Sequence, residues 1–203
     1  RIQAALVGTQ PDLIVSCFYP DLIPPQILDT APGLNVHPSD LPQWRGPDPV
    51  VHTLLSGQKR SAICVHQLTE ALDAGDIYLR HEVEIQSRDD AGRLSLRLES
   101  LGAQLITQAV VDWAASGPLV AQPQMGPITW APQRADDWWE IDWHKTAKQV
   151  DCFVRAAHPH PGAYTGIGNE LLVIQKSHPI EANAFESLEP GTPFIHGDEV
   201  AIR

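Results

Sequence analysis

Short apolar runs, separated by loops rich in proline and glycine, make up the first 85 residues of the chain. These runs are rich in β-branched residues, which predicts four strands, at positions 13–18, 33–37, 61–68 and 77–85. The first run is apolar at nearly every position, as in a parallel strand that is buried on both faces. Short helices are predicted near Leu28 and at 50–55. Strands and helices in this order predict an α/β fold with a parallel or mixed sheet.

A long amphipathic helix is predicted after the acidic pair Asp89-Asp90. Leucine and alanine recur at intervals of three and four residues from Leu94 to Ala109, which places them on the face that covers a core. The two aspartates lie at the end of the helix where its dipole favours negative charge. Trp113 is expected to end the helix, because a glycine and a proline soon follow it.

The second half of the chain begins with a segment that has little periodicity. Residues 116–135 contain four prolines and two glycines, which predicts a linker between an α/β domain at 1–115 and a second domain at 136–203. The second domain is predicted to be mostly β, with one helix and with a hairpin that turns at Gly168-Asn169.

Composition and charge narrow the range of functions. Of the 203 residues, 43% are apolar, which is ordinary for a globular protein, and no apolar run predicts a membrane span. The net charge of −11 argues against general binding to nucleic acid or anionic membranes. Three scattered cysteines favour a reducing, cytoplasmic setting. Because the chain begins at Arg1 and ends in what resembles an unfinished strand, we expect a fragment open at both ends.

Asn35 and His37 form the first candidate site. They lie two residues apart in the second predicted strand, so their side chains share one face. A loop with Pro38, Pro42 and Gly46 follows, and the carboxyl ends of strands are where open α/β sheets bind ligands. An amide can donate a hydrogen bond to a developing oxyanion, and an imidazole can take up a proton. The pair therefore suits acyl transfer.

Two aspartates compete to supply a carboxylate to this site. Asp73 and Asp76 lie in one acidic turn before the fourth predicted strand, and their spacing alone does not choose between them. No covalent nucleophile is indicated, because Ser39 lacks the G-x-S-x-G pattern and the cysteines lie among apolar residues. His52 and His66 are interpreted as packing or solvated side chains.

A structural interpretation of the same residues stays open beside the catalytic one. Taken alone, an Asn-x-His pair is more often a turn-capping amide beside a packed histidine than a catalytic pair. His158 and His160 have the chemistry of metal ligands, but the intervening prolines hold the chain extended and no third ligand is evident. No metal site is predicted.

Two segments resemble the formyltransferases that use 10-formyltetrahydrofolate. The first runs from Asn35 to Pro49 (NVHPSDLPQWRGPDP) and the second from Leu72 to Asp76 (LDAGD). The resemblance covers roughly residues 10–114 and implies a partial Rossmann-like catalytic domain. It implies that Asn35, His37 and Asp73, rather than Asp76, are the catalytic residues. It also implies 10-formyltetrahydrofolate as the formyl donor, with no metal required.

The resemblance further implies where the folate binds. The family holds the pterin largely through backbone groups, beside the strand that precedes the first motif and at the turn before the catalytic aspartate. The implied folate-binding residues are Phe18, Tyr19, Leu22, Thr69 and Leu72.

The C-terminal part resembles the start of the family's OB-like domain. The resemblance rests on Ile141-Asp-Trp143, the helix after it and Pro161 to Thr165, and the arrangement is most familiar in members that formylate methionyl-tRNA. Residues 136–203 hold 11 Asp and Glu but 5 Lys and Arg, a net charge of −6, which counts against tRNA. An amino-sugar nucleotide or another small amine is therefore a close second acceptor. Hydrolysis of the formyl-folate and an inactive folate-binding fragment stay open, since the family has further elements before Arg1.

Overall fold

A four-stranded mixed sheet is the framework of the first half of the chain. The computed structural model describes residues 10–19, 22–181 and 187–203. In both chain order and spatial order, the strands are β1 (Ile14–Cys17), β2 (Gly33–His37), β3 (Arg60–Gln67) and β4 (Ile77–Glu84). β1 and β2 are parallel, whereas β3 is antiparallel to both β2 and β4. The predicted α/β fold with a parallel or mixed sheet is confirmed, and the sheet is mixed.

The register of β2 and β3 places polar residues of the two strands side by side. Asn35 lies directly opposite His66, and His37 lies opposite Cys64. Side chains of directly opposed residues project on the same face of a sheet and contact each other. The pairing therefore brings a second histidine to the amide of the Asn-x-His pair.

β1 differs from its prediction, because it is not buried on both faces. Ser16 is buried, whereas Val15 is 45% exposed and Cys17 is exposed. Within the described ranges, β2 is the one strand that pairs with β1, so β1 lies at the edge of the sheet that these residues form. Apolar composition alone does not distinguish an edge strand from a central one.

Three helices lie in the described residues of this half, and the longest packs across the sheet. They are α1 (Pro25–Leu28), α2 (Pro49–Leu55) and α3 (Ala91–Ser116). α3 contacts β2, β3 and β4, and its Leu94 and Leu98 are buried, as the apolar stripe predicts. The carboxylate of Asp90 caps α3 by accepting a hydrogen bond from the backbone N–H of Arg93 at 2.9 Å.

α3 extends three residues beyond its predicted end at Trp113. It ends at Ser116, where Gly117 adopts a φ of 76° and donates its backbone N–H to the carbonyl of Trp113. Glycine adopts a positive φ without the steric penalty that other residues incur, so it can end the helix here. The glycine itself, rather than the large aromatic residue, was the reliable signal.

The described residues of the C-terminal part form one α-helix and two hairpins. After a 3₁₀ turn at Asp136–Trp139, the elements are α4 (Ala147–Ala157), β5 (Ala163–Ile167), β6 (Glu170–Ile174), β7 (Pro193–His196) and β8 (Glu199–Ile202). β5 pairs with β6, and β7 pairs with β8, both antiparallel. The β-rich character of this part and the turn at Gly168-Asn169 are confirmed. The final strand is paired with β7, which the sequence pattern did not reveal.

One apolar core joins the two parts of the chain. α4 packs on α2, and the core includes Val154 and Ala157 of α4 together with Leu54 of α2 and Leu94 of α3. All four side chains are 1% exposed or less. The C-terminal helix therefore completes the core of the α/β part.

The segment predicted as a linker lies against the α/β part along much of its length. We call residues 117–135 the strap. Its backbone bridges to Arg45 through Trp130 and to Ile77 through Gln122. In the described part of the chain, no helix has both the length and the apolar character to cross a membrane.

Candidate functional site

Asn35, His37 and Asp73 come together at the end of β2. The Asn35 amide nitrogen lies 3.4 Å from Asp73 Oδ1, and His37 Nδ1 lies 3.6 Å from Asp73 Oδ2. Each of the two β2 residues thus faces a different oxygen of one carboxylate. The alternation of β2 places the two side chains on one face, as predicted, and the turn after β3 supplies the carboxylate.

Asp73 occupies its position in an unfavourable backbone conformation. Its φ is 48°, and Trp44, in the loop that faces it, has a φ of 60°. Non-glycine residues rarely adopt positive φ, and such residues cluster at functional sites. The backbone N–H of Gly46 donates to Asp73 Oδ2 at 2.9 Å. The loop after β2 and the turn before β4 therefore hold the carboxylate from two sides.

Gly46 allows that loop to approach the strap closely. Its φ is 119°, and a Cβ added there would meet the carbonyl oxygen of Ala131 at 2.9 Å. Only glycine combines this conformation with so close a contact. With the loop this close to the strap, the backbone N–H of Gly46 points at the Asp73 carboxylate.

His66 is a fourth member of the cluster, and sequence analysis did not place it there. It is 1% exposed, so it is not solvated, and its packing is against polar groups. Its Nδ1 lies 2.9 Å from the carbonyl oxygen of Gln67. Because a carbonyl only accepts, this contact assigns the ring hydrogen to Nδ1. With the hydrogen on Nδ1, Nε2 accepts from the Asn35 amide at 3.1 Å.

The partners of Asn35 fix the orientation of its amide. Its nitrogen carries two hydrogens, one directed at His66 Nε2 and the other at Asp73 Oδ1. The first of these contacts is 3.1 Å and the second is 3.4 Å, so the bond to the carboxylate is the longer and the more easily exchanged. The signal that would have found His66 is its pairing opposite Asn35, which is visible only once the strands are in register.

Burial sets the protonation state of His37. It lowers the pKa of His37 below the ordinary value of 6.5, although the nearby Asp73 carboxylate favours the charged form. The imidazole is therefore neutral near pH 7. Nε2 lies 2.9 Å from the carbonyl oxygen of Trp44, which assigns the ring hydrogen to Nε2. Nδ1, which faces Asp73, is then the atom that can take up a proton.

Asp73 remains ionised in this environment. Burial alone would raise the pKa of its carboxyl, but the polar groups around it, among them the N–H of Gly46 that donates to Oδ2, outweigh burial and lower the pKa below its ordinary value. A carboxylate beside a neutral imidazole can stabilise the imidazolium that forms when the imidazole takes up a proton. The cluster thus combines a hydrogen-bond donor with a proton acceptor and its counter-ion.

Other candidate residues lie outside this cluster. Asp76 accepts a backbone hydrogen bond from Gln67 through its own carbonyl, and no contact of its carboxylate with Asn35 or His37 is seen among the described residues. The Ser39 hydroxyl donates to the carbonyl of Gln43 at 2.6 Å. Burial raises the pKa of the Cys64 thiol to about 12, which leaves it a poor nucleophile.

A small cavity opens beside the cluster. It has a volume of about 60 Å³ and is lined in part by Asn35, His66 and Asp73. Four of the five residues predicted to bind folate also line it, namely Tyr19, Leu22, Thr69 and Leu72. Phe18 is 46% exposed and is not one of the lining residues. Residues 20 and 21, which lie between the predicted folate-binding residues Tyr19 and Leu22, are outside the described residues.

The cavity alone is far smaller than the pockets that enclose a drug-sized ligand, which reach several hundred Å³. Its lining combines the aliphatic residues Leu22, Ile23, Leu68 and Leu72 with the polar residues Asn35, His66 and Asp73. It can therefore enclose the reacting end of a ligand, whose remainder lies over the exposed side chains at its mouth. Among the described residues, no group of three or more His, Cys, Asp or Glu side chains is arranged to hold a metal ion.

Comparisons with known proteins match both parts of the chain. The family described as formyl transferase matches residues 1–110, and the family described as its C-terminal domain matches residues 136–202. A methionyl-tRNA formyltransferase of Thermodesulfovibrio yellowstonii is 33% identical over 90% of this chain. The match covers 60% of that relative, so the chain spans well under two thirds of its length.

Solved structures share the fold. HypX from Aquifex aeolicus, in complex with tetrahydrofolic acid, superposes with a TM-score of 0.75 over 94% of this chain and 33% of its own, at 21% identity. A sugar N-formyltransferase from a Shewanella species gives a TM-score of 0.68 over 88% of this chain and 74% of its own, at 19% identity. Because the family match covers more than half of the sequence, the chain belongs to the formyl transferase family.

Proposed function

We propose that this protein transfers a formyl group from 10-formyltetrahydrofolate to an acceptor amine. The observation that supports this most directly is the convergence of Asn35, His37 and Asp73, of which Asn35 and Asp73 line one cavity. An oxyanion donor and a proton acceptor, with no nucleophilic side chain between them, suit direct attack of one substrate on the other.

In the proposed reaction, the acceptor nitrogen forms a bond to the formyl carbon, whose oxygen becomes an oxyanion. The Asn35 N–H that is directed at Asp73 turns to this oxygen, since that bond is the longer of the two at 3.4 Å. The proton lost by the amine passes to Nδ1 of His37, where Asp73 stabilises the positive charge. The carbonyl then re-forms as the bond between the formyl carbon and the folate nitrogen breaks, and the folate nitrogen takes up the proton that His37 returns.

The folate is proposed to lie along the cavity with its reacting end at the cluster. Tyr19, Leu22, Thr69 and Leu72 are proposed to bind it, and their place in the cavity wall supports this. Phe18 is proposed to cover the part of the ligand that extends beyond the mouth. The HypX complex, a protein of the same fold, contains tetrahydrofolic acid, which supports the same class of ligand here.

Methionyl-tRNA is the acceptor that we propose first. It is supported by the name of a relative that is 33% identical over 185 residues. An amino-sugar nucleotide is the second candidate, and a specific observation favours it. Residues 136–203 carry a net charge of −6, whereas proteins that bind nucleic acid owe most of their affinity to basic contacts with phosphate.

The proposal also includes the domain limits, the fold of the C-terminal domain and the cellular location. We propose domain limits at 1–115 and 136–203 with 116–135 between them, and an OB-like C-terminal domain, which the two antiparallel hairpins support. A cytoplasmic location is supported by the three free cysteines.

The test is a formyl transfer assay on the purified protein with 10-formyltetrahydrofolate. Methionyl-tRNA and an amino-sugar nucleotide are supplied in separate reactions, and formate release is measured without any amine. We expect a formylated amine as the product and little formate. Folate binding without turnover of any acceptor would show an inactive binding protein. Formate release as the main reaction would instead show a hydrolase, and either result contradicts the proposal.

A further inference from the structure

Gln124 of the strap is bonded to the turn that holds Asp73. Its amide nitrogen donates to the carbonyl oxygens of Asp73 and Gly75, both at 2.8 Å. Its amide oxygen accepts from Nε and Nη2 of Arg45, at 3.2 and 2.7 Å. A carboxamide has two donor hydrogens and two acceptor lone pairs. The four contacts therefore use the full capacity of this side chain.

The turn needs an external support of this kind. Asp73 has a φ of 48°, a strained conformation for a residue other than glycine, which persists when surrounding contacts determine it. Within the turn, the bond from the Ala74 N–H to the Ala71 carbonyl is long, at 3.3 Å. The residues on either side of Ala74 are Asp73 and Gly75, whose carbonyl oxygens accept the two hydrogen bonds from Gln124. The strap thus holds the strained residue from its backbone while Gly46 holds its carboxylate.

The same side chain connects the turn to the opposite loop. Arg45 precedes Gly46, whose N–H donates to Asp73. The Arg45 backbone N–H donates to the carbonyl of Thr129 at 3.0 Å, and the Arg45 carbonyl accepts from Ala131 at 2.8 Å. Gln124 therefore closes a ring of contacts through the strap, the loop after β2 and the turn before β4.

We propose that Gln124 is a positioning residue for the Asp73 carboxylate, acting through the backbone of the turn and through Arg45. This inference rests on the proposed function, in which Asp73 stabilises the protonated His37. Without Gln124 the turn relaxes, and the carboxylate moves away from Asn35 and His37. The strap is then part of the catalytic apparatus and more than a connection between domains.

Gln122 provides a matched control two residues away on the same strap. Its backbone exchanges two hydrogen bonds with Ile77, both at 2.8 Å. It shares the residue type and the strap with Gln124, and in the described structure its hydrogen bonds to the α/β part are made by its backbone. Gln122→Met therefore reports the effect of losing a strap carboxamide that does not reach the Asp73 turn.

The experiment compares Gln124→Met with Gln122→Met in the full protein by two measurements. The first is the NMR titration of the Asp73 carboxyl carbon without substrate. The second is steady-state formyl transfer. For Gln124→Met we expect kcat to fall about 100-fold, the size of effect that misplacing a reacting group by about 1 Å can have. KM for the folate should stay within about twofold, since Gln124 does not line the cavity.

The titration separates positioning from a general loss of structure. The groups that face Asp73 are His37 from β2 and His66 from β3, with Arg45 beyond Gln124 on the loop side. Loss of the contacts that favour the ionised form raises the pKa of the Asp73 carboxyl. We therefore expect its titration to move to higher pH in Gln124→Met and not in Gln122→Met.

An unchanged titration and an unchanged kcat in Gln124→Met would overturn the inference. A shifted titration in a protein whose wild type transfers no formyl group would retain the positioning role and contradict the proposed function instead. If Gln124→Met does not fold, Gln124→Asn decides by the same two measurements. Its amide is one methylene shorter and cannot reach both the turn and Arg45.

Discussion

The amide nitrogen of Asn35 has two hydrogens, and the site directs both of them. One is held by His66 on the neighbouring strand, and the other points at Asp73. A fixed amide is useful for catalysis because donors already oriented toward a developing charge need no reorganisation during the reaction. At the scale of single residues, His66 is therefore the anchor and the bond to Asp73 is the part that exchanges.

Replacing His66 should impair transfer without removing a catalytic group. His66→Phe keeps a ring in the buried site but removes the acceptor for Asn35, whose amide is then free to rotate. A hydrogen bond contributes about 1 kcal/mol, so we expect kcat to fall about five- to tenfold. His81→Phe is the control, because His81 lies exposed on β4. Equal activity of both variants in steady-state assays would contradict the anchoring role.

The pH dependence of the reaction should report His37. Burial lowers the pKa of His37 below 6.5, and the neutral ring is the form that accepts a proton. The active form therefore predominates above that lowered pKa, and activity is lost as the pH falls through it. We expect the acid limb of a plot of kcat/KM against pH to lie below pH 6.5. A limb at or above 6.5 would contradict this assignment.

At the scale of elements, the turn between β3 and β4 determines where the carboxylate lies. Gly75 is pressed against β3, and a Cβ added there would meet the carbonyl oxygen of Gln67 at 2.0 Å. No rotation of a flexible side chain relieves a contact with backbone. The packing of Gly75 on β3 is thus what brings Asp73, two residues earlier, within reach of β2.

Gly75→Ala should both destabilise the protein and misplace Asp73. Overpacking of this kind typically costs about 1–3 kcal/mol, measured as the change in the free energy of unfolding in urea. Gly166→Ala in β5 is the control, since a Cβ there meets nothing within 4 Å. Equal stability of the two variants would show that the turn shifts without strain. It would contradict the role of Gly75 in positioning Asp73.

Much of the element pattern could be predicted from the sequence, because it rests on local periodicity. β2 agrees with its prediction at both ends, and the stripe of α3 faces the core. β7 escaped prediction because it is four residues long and begins with a proline. His66 and Gln124 escaped for another reason. Their roles depend on strand register and on the course of an aperiodic segment, neither of which a local pattern contains.

At the scale of the whole molecule, the strap and the shared core join the two parts of the chain. α4 contributes Val154 and Ala157 to the core that α2 and α3 also line, while the strap contacts the loops of the site. The site is therefore assembled from β2, β3, the turn before β4 and the strap.

In the proposed reaction Asp73, and not its neighbour Asp76, supplies the carboxylate. The direct test is the single-turnover rate of formyl transfer for Asp73→Asn and Asp76→Asn, two isosteric changes in one turn. Loss of the partner of a general base should slow Asp73→Asn by at least about 100-fold, while Asp76→Asn stays close to the wild-type rate. Near-normal transfer by Asp73→Asn, or a loss confined to Asp76→Asn, would contradict the account.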